Sequence, residues 1–299
     1  MRKRSQVLGT ISVSILIIGV QAISAWATEP PKRIVSTIPS VTEILYALGL
    51  EERLVGVSQF CLFPPEAQEK EKVGAFHDPN LEKIIALRPD WIALFGRQDK
   101  IEAVMRPLGC EIYTHQDYTT RDVFGSIEEI AKIFSVEDRA AKLITQITTE
   151  VADLQERLSP LPRKKVLYVV GRNPGTLQQL FAVGRETFMH EILEAAKCEN
   201  CVSSSYGKFP ILSRETLIVS NPEVILDMAA TEREVEQGIM PPEWKALASV
   251  SAVRNGRIIP VGDMHLTIPG PSIPETIRKV ALLVHGEAAA QLLDEVKGD

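Results

Sequence analysis

A fourteen-residue pattern that recurs about 133 residues later constrains this chain more than any single residue does. Residues 81–94 read LEKIIALRPDWIAL, and residues 214–227 read RETLIVSNPEVILD. Each copy holds a short amphipathic helix, a proline that cannot donate into it, and an apolar strand. Glu82 and Glu215 coincide at the helix starts, as do Pro89 with Pro222 and Asp90 with Glu223. Upstream of each copy a basic residue leads into an apolar strand, Arg33–Ile38 in one half and Lys165–Val170 in the other. Similarity at so long a period means two copies of a domain-sized unit. Two similar lobes facing each other are expected to close on something between them.

The N-terminus reads as an export signal. Arg2, Lys3 and Arg4 precede an apolar stretch from about Val7 to Ile23, and Ala25-Trp26-Ala27 supplies small residues before a cut at Thr28. The apolar stretch is near the lower length limit for a spanning helix, so an uncleaved anchor is the rival reading. No cysteine stands at the cut to carry a lipid, and the periplasm is the expected address. Loss of residues 1–27 removes three positive charges and takes the net charge from −6 to −9. So acidic a surface argues against nucleic acid or anionic membrane as partner.

Strands alternating with helices define the fold class: α/β, two Rossmann-like lobes with mostly parallel sheets joined by a single long α-helix. The lobes are expected at 28–135 and 160–299. Between them, residues 136–159 are rich in Ala, Leu, Ile, Glu and Gln and free of Gly and Pro, a stiff strut. Ser40 and Glu43 have the spacing of a capping box for a helix near Val41–Leu48. Of the four cysteines, Cys198 and Cys201 are the candidate disulfide, while Cys61 and Cys110 fall at opposite ends of their sheet. A zinc site at Cys198 and Cys201 would lack two ligands.

Ligands of open parallel sheets bind beyond the carboxyl ends of the strands. That rule selects the loops Ile38–Ser40, Gln59–Asn80, Gly96–Gln98, Gly171–Arg185 with Ser203–Pro210, and Gly262–Pro271. They mix aromatic Phe60, Phe63, Phe76 and Phe209 with polar Arg97, Gln98, Arg172, Asn173, Asp263 and His265. Such a lining suits a large ligand with apolar faces and polar edges. His77, His115 and His265 also fall at strand ends or in these loops, and form the alternative set for a bare transition metal. The chain has no Gly-x-Ser-x-Gly elbow, phosphate-cradling loop or dinucleotide fingerprint. An enzyme is not expected, and a hydrolase is the remote alternative. Glu82 and Glu215 would set one carboxylate on the rim of each lobe, either favouring its helix dipole or docking a partner.

The stretches Arg33–Ser36, Pro39–Glu43, Val55–Ser58, Pro64–Ala67, Asp78–Glu82, Arg88–Asp90 and Leu212–Glu215 resemble a known family. It is that of the bilobal periplasmic substrate-binding proteins of ABC importers with a helical backbone, above all the cobalamin binders and the related iron-chelate binders. The resemblance covers about residues 32–285. It implies that Glu82 and Glu215 pair with arginines of an inner-membrane permease, itself driven by an ATPase. It implies that Phe60, Phe76 and Phe209 lie against a corrin ring and that Asp263 stands in the last ligand loop. The expected ligand-binding set is then Pro39, Ser40, Phe60, Phe76, His77, Arg97, Arg172, Asn173, Phe209, Asp263 and His265. Two phenylalanines replace the tryptophans typical of cobalamin binders, Thr267 stands where an arginine can occur, and His265 has no counterpart. These departures keep an iron siderophore or haem open as the ligand. A monomer without a cofactor of its own is expected, its cargo carrying any cobalt or iron.

Overall fold

The computed structural model describes residues 29–115, 118–203 and 206–294; the expected export signal lies outside them. In the first lobe β1 (Ile34–Ser36), α1 (Pro39–Ala47), β2 (Leu54–Val57), α2 (Leu81–Leu87), β3 (Trp91–Phe95), α3 (Asp99–Met105), β4 (Glu111–His115) and α4 (Thr120–Phe134) follow in order. The connecting helix is α5 (Glu137–Arg157), 21 residues or about 31 Å at 1.5 Å per residue. The second lobe begins with β5 (Lys164–Gly171), β6 (Leu180–Ala182), α6 (Phe188–Ala195), β7 (Cys198–Asn200), β8 (Ile211–Leu212), α7 (Arg214–Ser220) and β9 (Val224–Asp227). It ends with α8 (Glu232–Gln237), α9 (Ser251–Arg254), β10 (Ile258–Pro260), α10 (Ile273–His285) and α11 (Glu287–Asp294).

The first sheet has the order β2-β1-β3-β4 and is parallel throughout. The second runs β10-β9-β5-β6-β8, with β7 also paired to β5. Its β5, β7, β9 and β10 are parallel, while β6 and β8 add antiparallel pairs. Strands buried on both faces read as apolar runs, and their side chains alternate between two cores. Along β3, Trp91 and Ala93 enter one cluster while Ile92 and Leu94 enter another. Along β5, Val166 and Tyr168 enter that first cluster while Leu167 and Val169 enter a third. The first cluster is common to both lobes: α1, α4, α5, α6 and α10 all contribute to it. The lobes therefore share one continuous helical core along α5.

The repeat holds in three dimensions. Asn80 and Ser213 cap α2 and α7 by accepting the backbone N–H of Lys83 and Thr216. Both helices end in the left-handed region, at Arg88 (φ 47°) and Asn221 (φ 43°), immediately before Pro89 and Pro222.

Three local expectations are corrected. No Ser40–Glu43 capping box forms: α1 starts earlier, with Pro39 in its first turn and no side-chain cap, and Glu43 is drawn into the opposite lobe. Cys198 and Cys201 are free thiols. An offset of three along an extended segment sends them to opposite faces, Cys198 into the shared core and Cys201 toward the cluster around Trp244. Burial pushes their thiols up, to about 12 and about 11. The stretch read as the loop Gly171–Arg185 contains β6. Residues 242–247 form a 3-10 helix.

Candidate ligand-binding site

A cavity of about 410 Å³ lies where the carboxyl ends of the two sheets meet. The first lobe supplies Ile38–Val41 after β1, Phe60, Leu62 and Phe76 after β2, Phe95 at the end of β3, and Tyr118. The second lobe supplies Thr187–Met189 at the start of α6, Phe209, Met264 and Thr267–Pro269. Phe76 is the centre of the aromatic wall, with ring centroids 5.4 Å from Phe60 and 5.2 Å from Phe95, both edge to face. Phe60, Leu62, Phe209 and Met264 remain between 39% and 56% exposed around this cavity. Among the described residues, no charged side chain lines this cavity.

Of the residues expected from the sequence, Pro39, Ser40, Phe60, Phe76 and Phe209 line this cavity. The others are placed elsewhere. His77 is exposed, edge-on to Phe76 at 4.9 Å. Arg97 is exposed and paired with Asp99. Asn173 is exposed in the turn between β5 and β6, its N–H donating to the Gln178 carbonyl. Arg172 has a side chain only 1% exposed, held by Asp227 at 3.1 Å and by Glu243. That guanidinium belongs to the interior of the second lobe, where Trp244 Nε1 also donates to Asp227 at 2.7 Å.

Asp263 borders a second cavity of about 900 Å³ that Met264 also lines. Burial pushes its carboxyl up, but Lys279 at 2.9 Å and the His265 N–H outweigh burial and hold it below the usual range. His265 is buried and turned from the cavity, its ring stacked on Phe63 with centroids 4.0 Å apart. Among the described residues no three His, Cys, Asp or Glu side chains gather as a metal site. The side chain of His115 lies outside them.

Tyr118, Thr187, Phe188 and Met264 went unnoticed in the sequence because nothing local marks them. Lys208, beside Phe209, stands over the Tyr118 ring at 3.5 Å and ties the lobes together at the rim. Glu82 and Glu215 occupy the first turns of α2 and α7, with Ile85 and Ile218 exposed one turn further on.

A largely apolar cleft between two repeated α/β lobes, braced by one long helix, is the form of a two-lobed solute-binding protein. The chain belongs to the periplasmic binding protein family, whose pattern matches residues 34–264. It is a substrate-binding protein of the ABC-importer type, a transport component. An uncharacterised ABC transporter substrate-binding lipoprotein of Bacillus subtilis, YvrC, is 28% identical over 85% of this chain and 80% of its own length. The crystal structure of the periplasmic vitamin B12-binding protein BtuF of Vibrio cholerae is 26% identical, with a TM-score of 0.68 over 88% of this chain and all of that one. The periplasmic haem-binding protein HutB of Vibrio cholerae superposes with a TM-score of 0.73 over 85% of this chain and 98% of its own at 23% identity, a likeness of fold alone.

Proposed function

We propose that this protein captures a corrinoid between its lobes in the periplasm and delivers it to an inner-membrane permease. The observation that carries the ligand class is the cavity lining: aromatic and aliphatic groups from both lobes, hydroxyls of Ser40, Tyr118, Thr187 and Thr267, and, among the described residues, no ionised side chain. A haem brings two propionates and a ferric catecholate an anionic chelate, and burying either against this surface would leave a charge unpaired. A corrin ring offers a broad apolar face with neutral amides at its edge. At about 410 Å³ the cavity takes only part of such a macrocycle. The remainder would extend past Met264 toward the larger cavity, where Asp263 is paired with Lys279 and Glu232 and Glu236 would repel an anionic edge.

Docking is assigned to Glu82 and Glu215. Each is an exposed carboxylate in the first turn of an equivalent helix, flanked by an exposed isoleucine, so the two lobes present the same small acidic and apolar patch. A partner with two cationic sites would engage both at once.

The test is the absorption spectrum of the protein as purified, followed by calorimetric titration with cyanocobalamin, haemin and a ferric hydroxamate. Submicromolar binding of cyanocobalamin with no comparable haemin binding is expected. Haemin or the ferric chelate binding in preference would overturn the assignment.

A further inference from the structure

Behind the cavity wall a second set of side chains crosses from one lobe to the other, and ligand contact does not account for it. Glu43, on the turn of α1 after Pro39 and Ser40, is only 4% exposed. Its Oε1 accepts the backbone N–H of Ser272 at 2.5 Å, across 229 residues of chain. Its Oε2 lies 3.4 Å from His265 Nε2, which is itself 2.8 Å from Ser272 Oγ. Phe63 of the first lobe stacks on the same imidazole. Gly270 approaches so closely that a Cβ there would overlap the Glu43 carboxylate. Among the described residues His265 is the only basic group within ion-pair distance of Glu43.

A buried carboxylate without a lysine or arginine is costly, and an apolar side chain would pack this seam at less expense. What the carboxylate adds is direction, because it fixes one N–H and faces one imidazole of the segment between β10 and α10. That segment has two faces. Met264, Thr267, Ile268 and Pro269 line the ligand cavity, while His265, Gly270 and Ser272 meet Glu43. The far side of the cavity has its own crossing, where Glu191 of α6 accepts the Thr120 N–H at 2.7 Å. The cavity therefore hangs between two polar seams.

We propose that Glu43 and His265 are positioning residues: their junction with Ser272 sets where the 263–272 segment stands across the cleft, and through it the fit of whatever ligand the cleft takes. This goes beyond the corrinoid assignment and holds for any occupant.

The test compares Glu43→Ala, Glu43→Gln and Gly270→Ala in the full mature chain. The readouts are amide hydrogen exchange without ligand and the dissociation rate of cyanocobalamin as probe. Glu43→Ala is expected to speed exchange of the 263–272 amides about tenfold, as loss of one buried charge-assisted bond would, while α7 and β9 keep their protection. Probe release should quicken in parallel. Glu43→Gln, which still accepts from Ser272, should recover most of the protection. Gly270→Ala, which displaces the carboxylate without removing it, should resemble Glu43→Ala and serves if that variant does not fold. Unchanged exchange in the segment would overturn the proposal, as would faster exchange spread evenly over the chain or no recovery in Glu43→Gln. The exchange arm reads the junction even if cyanocobalamin does not bind, so it stands or falls apart from the ligand assignment.

Discussion

Asp90 and Glu223 make the same reciprocal contact in the two lobes. Asp90 Oδ1 accepts the Arg33 N–H at 2.8 Å, and the Asp90 N–H returns to the Arg33 carbonyl at 3.0 Å. Glu223 Oε2 accepts the Lys165 N–H at 2.9 Å, and its own N–H returns to the Lys165 carbonyl at 2.8 Å. Each pair ties the start of a repeat strand, β3 or β9, to the start of its neighbour. Replacing the carboxylate leaves an N–H at a strand end without its partner. Asp90→Ala should cost about 1–2 kcal/mol, since Asp90 also accepts from Lys32. Glu223→Ala should cost less, because water reaches Glu223. Urea unfolding of the two single variants checks both values.

Arg172 supports a larger effect. Its guanidinium neutralises Asp227 and Glu243 in the interior of the second lobe. Arg172→Ala would leave Asp227, which is wholly buried, as an uncompensated charge, a loss of about 3–5 kcal/mol. Ligand affinity of the folded protein should stay within about twofold of wild type, since the side chain is far from rich in solvent or cavity contact and acts on stability alone. Chemical unfolding together with calorimetry at a permissive temperature separates the two. A selective loss of affinity would return Arg172 to the ligand site.

Much of this was legible in the sequence, and the limits have physical causes. The 133-residue repeat and the long helix rest on local periodicity, which a sequence displays directly. The pairing of β6 with β8 does not, because Leu180–Ala182 and Ile211–Leu212 are too short to show a period of two. Arg172 reads as a loop cation because Asp227 and Glu243 lie 55 and 71 residues away. Glu43 follows Ser40 by the three residues of a capping box, yet its strongest partner is the Ser272 N–H in the other lobe. The aromatic residues after β2 stood out by type. Tyr118 and Met264 acquire meaning only when the strand ends are brought together.

The aromatic wall gives a prediction on binding. Phe209→Ala removes a ring that is 41% exposed, so stability should change little while corrinoid affinity falls by about 1 kcal/mol or more. Phe76→Ala should lose at least as much affinity and also some stability, because Phe76 packs on Phe60 and Phe95. Calorimetry paired with thermal unfolding reads the difference. Wild-type affinity in both variants would move the site elsewhere.

The matched patches on α2 and α7 predict a phenotype of transport without one of binding. Glu82→Ala and Glu215→Ala should each lower stimulation of the reconstituted importer's ATPase, and the double variant should lower it further. Cyanocobalamin affinity should remain at the wild-type value in all three. Ile85→Ser and Ile218→Ser test the apolar half of each patch in the same assay.

The second lobe should also weaken in mild acid. Burial pushes His285 below its ordinary value; Lys164 and Arg257 act in the same direction, and the Ala196 carbonyl that accepts from Nε2 only partly opposes them. Burial likewise lowers His190 on α6. Both rings are held neutral in the folded protein, so the unfolded chain takes up protons first as pH falls. Stability from these groups is complete above an unfolded value of about 6.5 and is lost as pH drops through the lower folded values. Denaturant midpoints should therefore fall between about pH 6.5 and 5, with cyanocobalamin absent so that ligand linkage does not enter. In His285→Gln, which keeps a donor for Ala196 but cannot titrate, the fall should be shallower. An equal slope in that variant would assign the acid sensitivity to other groups.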